Sequence, residues 1–163
     1  MIIGCHVTIG SNAERPTNYN KNSIMSDVGM MACCAKSNGI GSDYENLVII
    51  PDYQGYGATH GEVHPYLSQE ITARQVLDGV RAGIAYYTSK AGKLEKNWRS
   101  LSTGYSQGGS VAMAVHKYIE EFKKSDEYLS LVKEFREGKK TEEDVTKALN
   151  DKYSSKIVGD FYK

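Results

Sequence analysis

The sequence predicts an α/β fold, with a mostly parallel sheet, flanking helices and a helical C-terminal segment. Short apolar runs alternate with segments of helical periodicity over residues 1–124. A glycine-rich turn separates the last of these runs from an apolar helix. From residue 125 the chain is charged, and its one further strand candidate, at 156–158, is weak. We therefore expect a core at 1–124 and a helical segment at 125–163 that forms part of a cap or lid.

The first predicted element is a strand at 2–5, where the sequence is Ile-Ile-Gly-Cys. A loop rich in Gly, Ser, Asn and Pro follows at 10–22. Apolar residues then recur at helical spacing from Ile24 to Ala35, and Gly39 is a plausible C-terminal stop. This stretch predicts a strand, a long loop and a helix.

The next apolar run, Leu47-Val48-Ile49-Ile50, ends at Pro51. Such a run is typical of a strand buried on both faces of a parallel sheet. Three glycines and Pro65 predict a loop at 52–67. Ser68 then caps a predicted helix that extends to about residue 89.

The last core elements are a strand at 98–103 and a helix at 110–124. The strand is more polar than a central strand should be, whereas the first half of the helix is almost wholly apolar and predicts burial. Two amphipathic helices follow at 125–136 and 141–152, the second opened by a capping box at Thr141 and Asp144.

Composition restricts the function classes. The chain has 163 residues, 40% of them hydrophobic and 25% charged, which is typical of one soluble globular domain. The 20 basic residues balance the 20 acidic ones, so no global field favours nucleic acid. No run approaches the roughly 20 apolar residues of a membrane span, and no signal peptide opens the chain, so the compartment stays open. We interpret Cys5, Cys33 and Cys34 as core thiols, because their odd number suits neither disulfides nor zinc.

The sequence Gly104-Tyr105-Ser106-Gln107-Gly108 carries the strongest chemical signal. Gly-x-Ser-x-Gly is the spacing of a nucleophile elbow, in which a serine occupies a strained strand-to-helix turn. Alone the motif is weak, but a strand before it and an apolar helix after it are the context that an elbow requires. We interpret Ser106 as a nucleophile.

An oxyanion hole would need backbone N–H donors beside this serine. The N–H of Gln107 is the natural first donor, because it lies at the start of the following helix. A second donor should come from the loop after an earlier strand, and Val7 and Thr8 follow the strand at 2–5. Their backbone amides are the candidates.

Four motifs in order resemble α/β-hydrolases of the secretory lipase type. They are Pro51-Asp52-Tyr53-Gln54-Gly55-Tyr56-Gly57, His64-Pro65-Tyr66-Leu67, Val76-Leu77-Asp78-Gly79-Val80-Arg81-Ala82 and Gly104-Tyr105-Ser106-Gln107-Gly108-Gly109. The resemblance covers roughly residues 1–120. It implies a partial α/β-hydrolase fold, hydrolysis of a small ester or lipid through an acyl-enzyme, and no cofactor. The family often has His-Gly-Thr where this chain has His6-Val7-Thr8, so Val7 is a departure at the second oxyanion donor.

The catalytic triad departs further from the family pattern. The chain order in α/β-hydrolases is Ser, then Asp or Glu, then His, yet His116 is the only histidine after Ser106. Ten residues along one helix place it about 15 Å away, so it is not the base. No downstream carboxylate has the setting of a triad acid, and none is assigned.

Two explanations of the missing base stay open. The chain is an incomplete piece of a larger hydrolase, which we favour because the resemblance begins at what looks like the third strand of the fold. Otherwise His60 or His64 serves as an unorthodox base. We do not favour a metal site at His60 and His64, because they lie in a predicted loop and lack the spacing of a helical zinc motif. We expect His64 to anchor the loop, Asp52 to order its turn, and Tyr53, Tyr56 and Tyr66 to pack in the core or at its rim.

Two other functions remain as alternatives: a non-catalytic binding module that keeps the turn only as architecture, and a fragment of a peptidase of the prolyl oligopeptidase type. An open sheet of three short strands also leaves edges exposed. We therefore expect self-association, or pairing with a missing segment.

Overall fold

A computed structural model of the chain describes residues 1–18, 46–91 and 99–153. Their contacts divide the chain into two compact units, Met1–His116 and Lys117–Lys163. The predicted helix at 24–35 with its stop at Gly39, the strand candidate at 156–158, and Cys33 and Cys34 lie outside the described residues. The functional division at residues 124 and 125 stays a prediction.

The first unit is built on a three-stranded parallel sheet, as predicted for an α/β fold. Its strands are β1 (Ile2–Cys5), β2 (Val48–Ile49) and β3 (Leu101–Gly104), in the order β2-β1-β3. Ile2 pairs with Leu101 and Cys5 pairs with Gly104, so the carboxyl ends of β1 and β3 are level. Segments that follow these two strands therefore leave the sheet at the same edge.

Burial differs between the three strands. Ile3 and Cys5 of the central strand β1 are buried, whereas both residues of β2 are only half-buried. The prediction of a strand buried on both faces at 47–50 was wrong, because β2 has β1 as its one neighbour among the described residues. The polarity of β3 has the same explanation, since this strand is also paired on one side there and Leu101 is 62% exposed.

Helix α1 (Gln69–Ala91) follows Ser68, whose carbonyl accepts the amide of Thr72 at 3.0 Å. It buries Ala73, Val76 and Val80. Helix α2 (Gln107–Lys123) follows β3 and begins three residues earlier than predicted. Its buried side is nearly as expected, with Val111, Ala112, Ala114 and Val115 in the core, but Met113 is 69% exposed.

The second unit holds α3 (Asp126–Arg136) and α4 (Glu142–Tyr153). The predicted capping box is confirmed: the Asp144 amide donates to Thr141 Oγ1 at 3.1 Å, and Asp144 Oδ2 accepts from the Thr141 amide at 2.9 Å. The amide and the hydroxyl of Thr141 both donate to the Asp144 carboxylate, and these two bonds lower the pKa of Asp144. In the described part of the chain, no helix combines the length and apolarity that crossing a bilayer requires.

Candidate functional site

Ser106 occupies a strained turn between β3 and α2. Its φ is 54°, in the left-handed region that residues other than glycine rarely adopt. The Gly108 amide closes the turn by donating to the Tyr105 carbonyl at 2.9 Å. We call Gly104–Gly108 the serine turn. It has the strand, turn and helix that the spacing predicts.

The two outer glycines of the serine turn are required by close backbone contacts. A Cβ on Gly104 would overlap the Gly108 carbonyl and lie 2.7 Å from the Cys5 carbonyl oxygen. A Cβ on Gly108 would overlap the Cys5 carbonyl oxygen and lie 2.7 Å from that of His6. The missing side chains therefore let the start of α2 approach the carboxyl end of β1.

This approach brings the predicted oxyanion residues to the serine turn. Val7 and Thr8 follow directly after His6, whose carbonyl faces Gly108. Within the described ranges, the backbone amides of Val7, Thr8 and Gln107 donate to no acceptor. Gln107 therefore lies within the serine turn, and Val7 follows the residue whose carbonyl faces Gly108; the oxyanion role of Val7, Thr8 and Gln107 stays a prediction.

The nucleophile candidate itself is accessible. Ser106 is exposed and Tyr105 is 79% exposed, whereas Gln107 is buried. Among the described residues, no hydrogen bond involves Ser106 Oγ. A substrate can reach the hydroxyl, but the described part of the chain holds no base in hydrogen-bond contact with it.

His64 reaches the serine turn through Gln107. Its Nδ1 lies 2.8 Å from the Gln54 carbonyl oxygen, and its Nε2 lies 2.8 Å from Nε2 of Gln107. A carbonyl can only accept, so Nδ1 carries the proton and Nε2 accepts from the Gln107 amide. The loop-anchoring role expected of His64 is confirmed, and it extends to the residue beside Ser106.

His6 is a second histidine at this edge of the sheet, and it is fully buried, whereas His64 is half-buried. Its ring stacks on Tyr53 with a centroid distance of 3.7 Å, and its Nδ1 donates to the Val7 carbonyl at 2.7 Å. Its Nε2 has no hydrogen-bond partner in the described structure. Burial lowers the pKa of His6, although the bond to Val7 and the charge of Asp52 oppose the shift. The His6 ring is therefore neutral and packs in the core against Tyr53.

The remaining loop residues have structural contacts. Asp52 accepts from the amide of Thr17 at 3.1 Å and from its hydroxyl, so it joins two loops rather than ordering only its own turn. Tyr53 is buried, which agrees with the packing role, and its hydroxyl donates to the His6 carbonyl at 3.2 Å. Tyr56 donates to the Ile9 carbonyl at 3.0 Å, whereas Tyr66 is 53% exposed.

The other two histidines lie away from these contacts. His60 and His116 are exposed, and His116 lies on α2 as predicted. The described residues contain no cluster of three or more side chains that could hold a metal ion.

Comparison of the chain with protein-family models, with curated proteins and with solved structures finds no match. The fold and the site together define the class: an α/β protein that presents a serine on a strained strand-to-helix turn at the carboxyl edge of a parallel sheet.

Proposed function

We propose that this protein is a serine hydrolase of carboxylic esters, in the α/β-hydrolase superfamily and similar to secretory lipases. The observation that carries the proposal is the serine turn, in which Ser106 has a φ of 54° and both outer positions exclude a Cβ. A strained, exposed serine between a parallel strand and a helix is the arrangement of a nucleophile elbow. Backbone strain of this kind is concentrated at functional sites.

The chemistry is acyl transfer in two steps. Ser106 Oγ attacks the ester carbonyl carbon while a base takes the hydroxyl proton, and the negative charge moves to the carbonyl oxygen. Backbone N–H groups of Gln107 and of Val7 or Thr8 stabilise that oxygen. Collapse of the intermediate expels the alcohol with the proton and leaves the acyl group on Oγ. Water then releases the acid and restores the serine.

In this proposal the base and acid are supplied from outside this chain. Nε2 of His64 accepts from Gln107 rather than from Ser106. His60 or His64 as the base is the open alternative. Without a base, only the strained turn and the oxyanion donors assist the serine, so we expect the chain alone to react slowly and to turn over esters orders of magnitude more slowly than complete triad enzymes.

The surroundings of the serine and the charge of the chain support the proposed substrate class. Tyr105 is 79% exposed, and Tyr66 and Leu67 are more than half exposed. The hydroxyl of Tyr66 lies 3.4 Å from that of Thr8, which places it beside a proposed oxyanion donor. Exposed aromatic and apolar groups suit an ester or lipid, and a net charge of zero gives no attraction for nucleic acid.

Acylation by a p-nitrophenyl ester tests the proposal. We expect slow release of one equivalent of p-nitrophenol and one acyl group per chain, located on Ser106 by peptide mapping and missing from Ser106→Ala. Ser110→Ala is the matched control, because Ser110 lies in the first turn of α2 and its hydroxyl oxygen accepts a hydrogen bond from the Gln69 side chain. Turnover at ordinary enzyme rates that Ser106→Ala abolishes would refute the expected inactivity and favour His60 or His64 as the base. A folded chain that takes up no acyl group would refute the assignment of Ser106 as the nucleophile.

A non-catalytic binding module is the second candidate. It is favoured by the lack of a hydrogen bond to Ser106 Oγ among the described residues and by the commitment of His64 Nε2 to Gln107. This alternative predicts no covalent adduct under any condition that leaves the fold intact.

A further inference from the structure

A bridge of two hydrogen bonds joins the loop after β2 to the serine turn. The Gln54 carbonyl accepts from Nδ1 of His64, and Nε2 of His64 accepts from the Gln107 side chain, both at 2.8 Å. The Nδ1–H tautomer of His64 satisfies both bonds together. Gln107 is 4% exposed, so its amide group would lose a buried partner if the ring were removed.

The far end of this bridge is itself fixed. The amide of Gln54 donates to Oε1 of Gln75 at 3.2 Å, and Nε2 of Gln75 donates to Oε1 of Gln54 at 2.9 Å. Gln75 belongs to α1, so the bridge begins on a helix. Tyr56 holds the His64 ring from the side, with centroids 5.1 Å apart. The ring is therefore set in orientation as well as in tautomer.

Gln107 connects the His64 bridge to the proposed oxyanion hole. It is the first residue of α2, and its N–H shares the peptide unit that follows the strained Ser106. A side chain bonded at its end restrains rotation about its own backbone, and hence the direction of that N–H. An oxyanion donor misplaced by about 1 Å can cost on the order of 100-fold in rate.

We infer that His64 is a positioning residue, which anchors Gln107 and so holds the first oxyanion donor in place. This inference rests on the proposed function. His64 acts through Gln107 and does not take the proton of Ser106. The Gln54–His64–Gln107 bridge thereby restrains the serine turn at Gln107, whose backbone N–H is the proposed oxyanion donor.

Two measurements on the full chain test the inference. The first is the second-order rate constant for labelling of Ser106 by a fluorophosphonate. The second is the ¹⁵N NMR order parameter of the Gln107 backbone amide. We expect His64→Ala to slow labelling about 10- to 100-fold and to lower that order parameter while the chain remains folded.

Two further variants sharpen the test. His64→Gln retains an amide oxygen that can accept from Gln107, so it should recover part of the labelling rate and of the order. His116→Ala removes an exposed histidine from α2, about 15 Å along the helix from Ser106, and should match wild type in both measurements. If His64→Ala does not fold, the comparison of His64→Gln with wild type carries the test.

The outcomes separate the inference from the function it rests on. An unchanged Gln107 amide in folded His64→Ala would overturn the bridge as an anchor. If the Gln107 amide is more mobile in His64→Ala but labelling keeps the wild-type rate, the role of the bridge at the oxyanion hole is overturned. Wild type that takes no label would overturn the proposed function and the oxyanion role, while the NMR comparison would still decide whether His64 anchors Gln107.

Discussion

At the scale of single residues, the glycines around Ser106 differ in how much space they need. Gly104 and Gly108 face backbone carbonyls that a Cβ would overlap, whereas a Cβ on Gly109 would lie 3.4 Å from its nearest neighbour, the Gly104 carbonyl oxygen. Backbone cannot move aside as the end of a side chain can. Gly108 is therefore a structural requirement of the turn, and Gly109 is not.

This difference predicts opposite outcomes for two adjacent substitutions. Gly108→Ala should lower the free energy of unfolding by about 1–3 kcal/mol, because the new methyl group overlaps the Cys5 carbonyl. Gly109→Ala lies within α2 and should be neutral or stabilising by up to about 1 kcal/mol, since alanine favours helix over glycine. Urea denaturation of both variants checks the prediction. Equal losses would show that the close approach to β1 is not what requires Gly108.

His6 predicts a pH dependence of stability. Burial lowers the pKa of His6 in the folded state below the value of about 6.5 in the unfolded chain. Below pH about 6.5 the unfolded state therefore binds more protons, and the free energy of unfolding should fall as the pH drops toward the folded-state pKa. The slope contributed by one proton is at most about 1.4 kcal/mol per pH unit.

His6→Phe keeps a ring against Tyr53 and removes the titrating group. Urea denaturation between pH 7 and 5 should give a flatter profile for this variant than for wild type. His116→Ala is the control, because it removes an exposed histidine. A slope that survives in His6→Phe would assign the acid sensitivity to another group.

Cys5 predicts a lack of thiol reactivity. Burial raises the pKa of the Cys5 thiol to about 12, so almost no thiolate forms at pH 8. In a Cys33→Ser/Cys34→Ser variant, iodoacetamide should leave the folded chain unmodified and should alkylate it fully in urea. Rapid modification of the folded chain would contradict the burial of β1.

At the scale of elements, glycines also set how α1 lies against β2. A Cβ on Gly79 would meet Cβ and Cγ of Pro51 at 2.7 and 2.9 Å, and one on Gly83 would meet Cδ1 of Ile49 at 2.7 Å. The two glycines are one helical turn apart, so they form one face of close contact. Pro51 is rigid, whereas the end of the Ile49 side chain can rotate.

Gly79→Ala should therefore destabilise the chain by about 1–3 kcal/mol despite the higher helix propensity of alanine. Gly83→Ala is the matched control on the same face and should cost less, because Ile49 Cδ1 can move. Thermal unfolding followed by circular dichroism checks the order of the two variants. A larger loss for Gly83→Ala would contradict the packing described for α1.

The sequence predicts elements well where the pattern is local. The strand at 2–5, the helix after the serine turn and the capping box at Thr141 each depend on residues close together in the chain. The prediction that β2 is buried on both faces was wrong, because burial depends on which strands are neighbours in space. The hydrogen bond between Gln107 and His64 was likewise not predicted. The two residues are 43 positions apart, and no sequence pattern indicates that they meet.

At the scale of the whole molecule, β3 is paired on one side among the described residues. Leu101 and Tyr105 at this strand, and Met113 on α2, are all more than 60% exposed. Unpaired strand edges with exposed apolar groups favour pairing with another chain. Self-association therefore stays a proposal, which this edge of β3 motivates.

Sedimentation velocity checks this proposal. We expect species larger than the monomer at micromolar concentration, and a shift toward monomer in Leu101→Lys, which places a charge at the edge of β3. Tyr86→Lys is a suitable control, because Tyr86 is also exposed but lies on α1. A stable wild-type monomer would contradict the expected association.

The most direct test of the central claim, that Ser106 is a nucleophile held ready by its strained turn, is labelling by a fluorophosphonate followed by intact-mass measurement and peptide mapping. The account predicts one label per folded chain, located on Ser106, missing from Ser106→Ala and retained by Ser110→Ala. Prolonged exposure of the folded chain without any label, or a label on a serine other than Ser106, would contradict it.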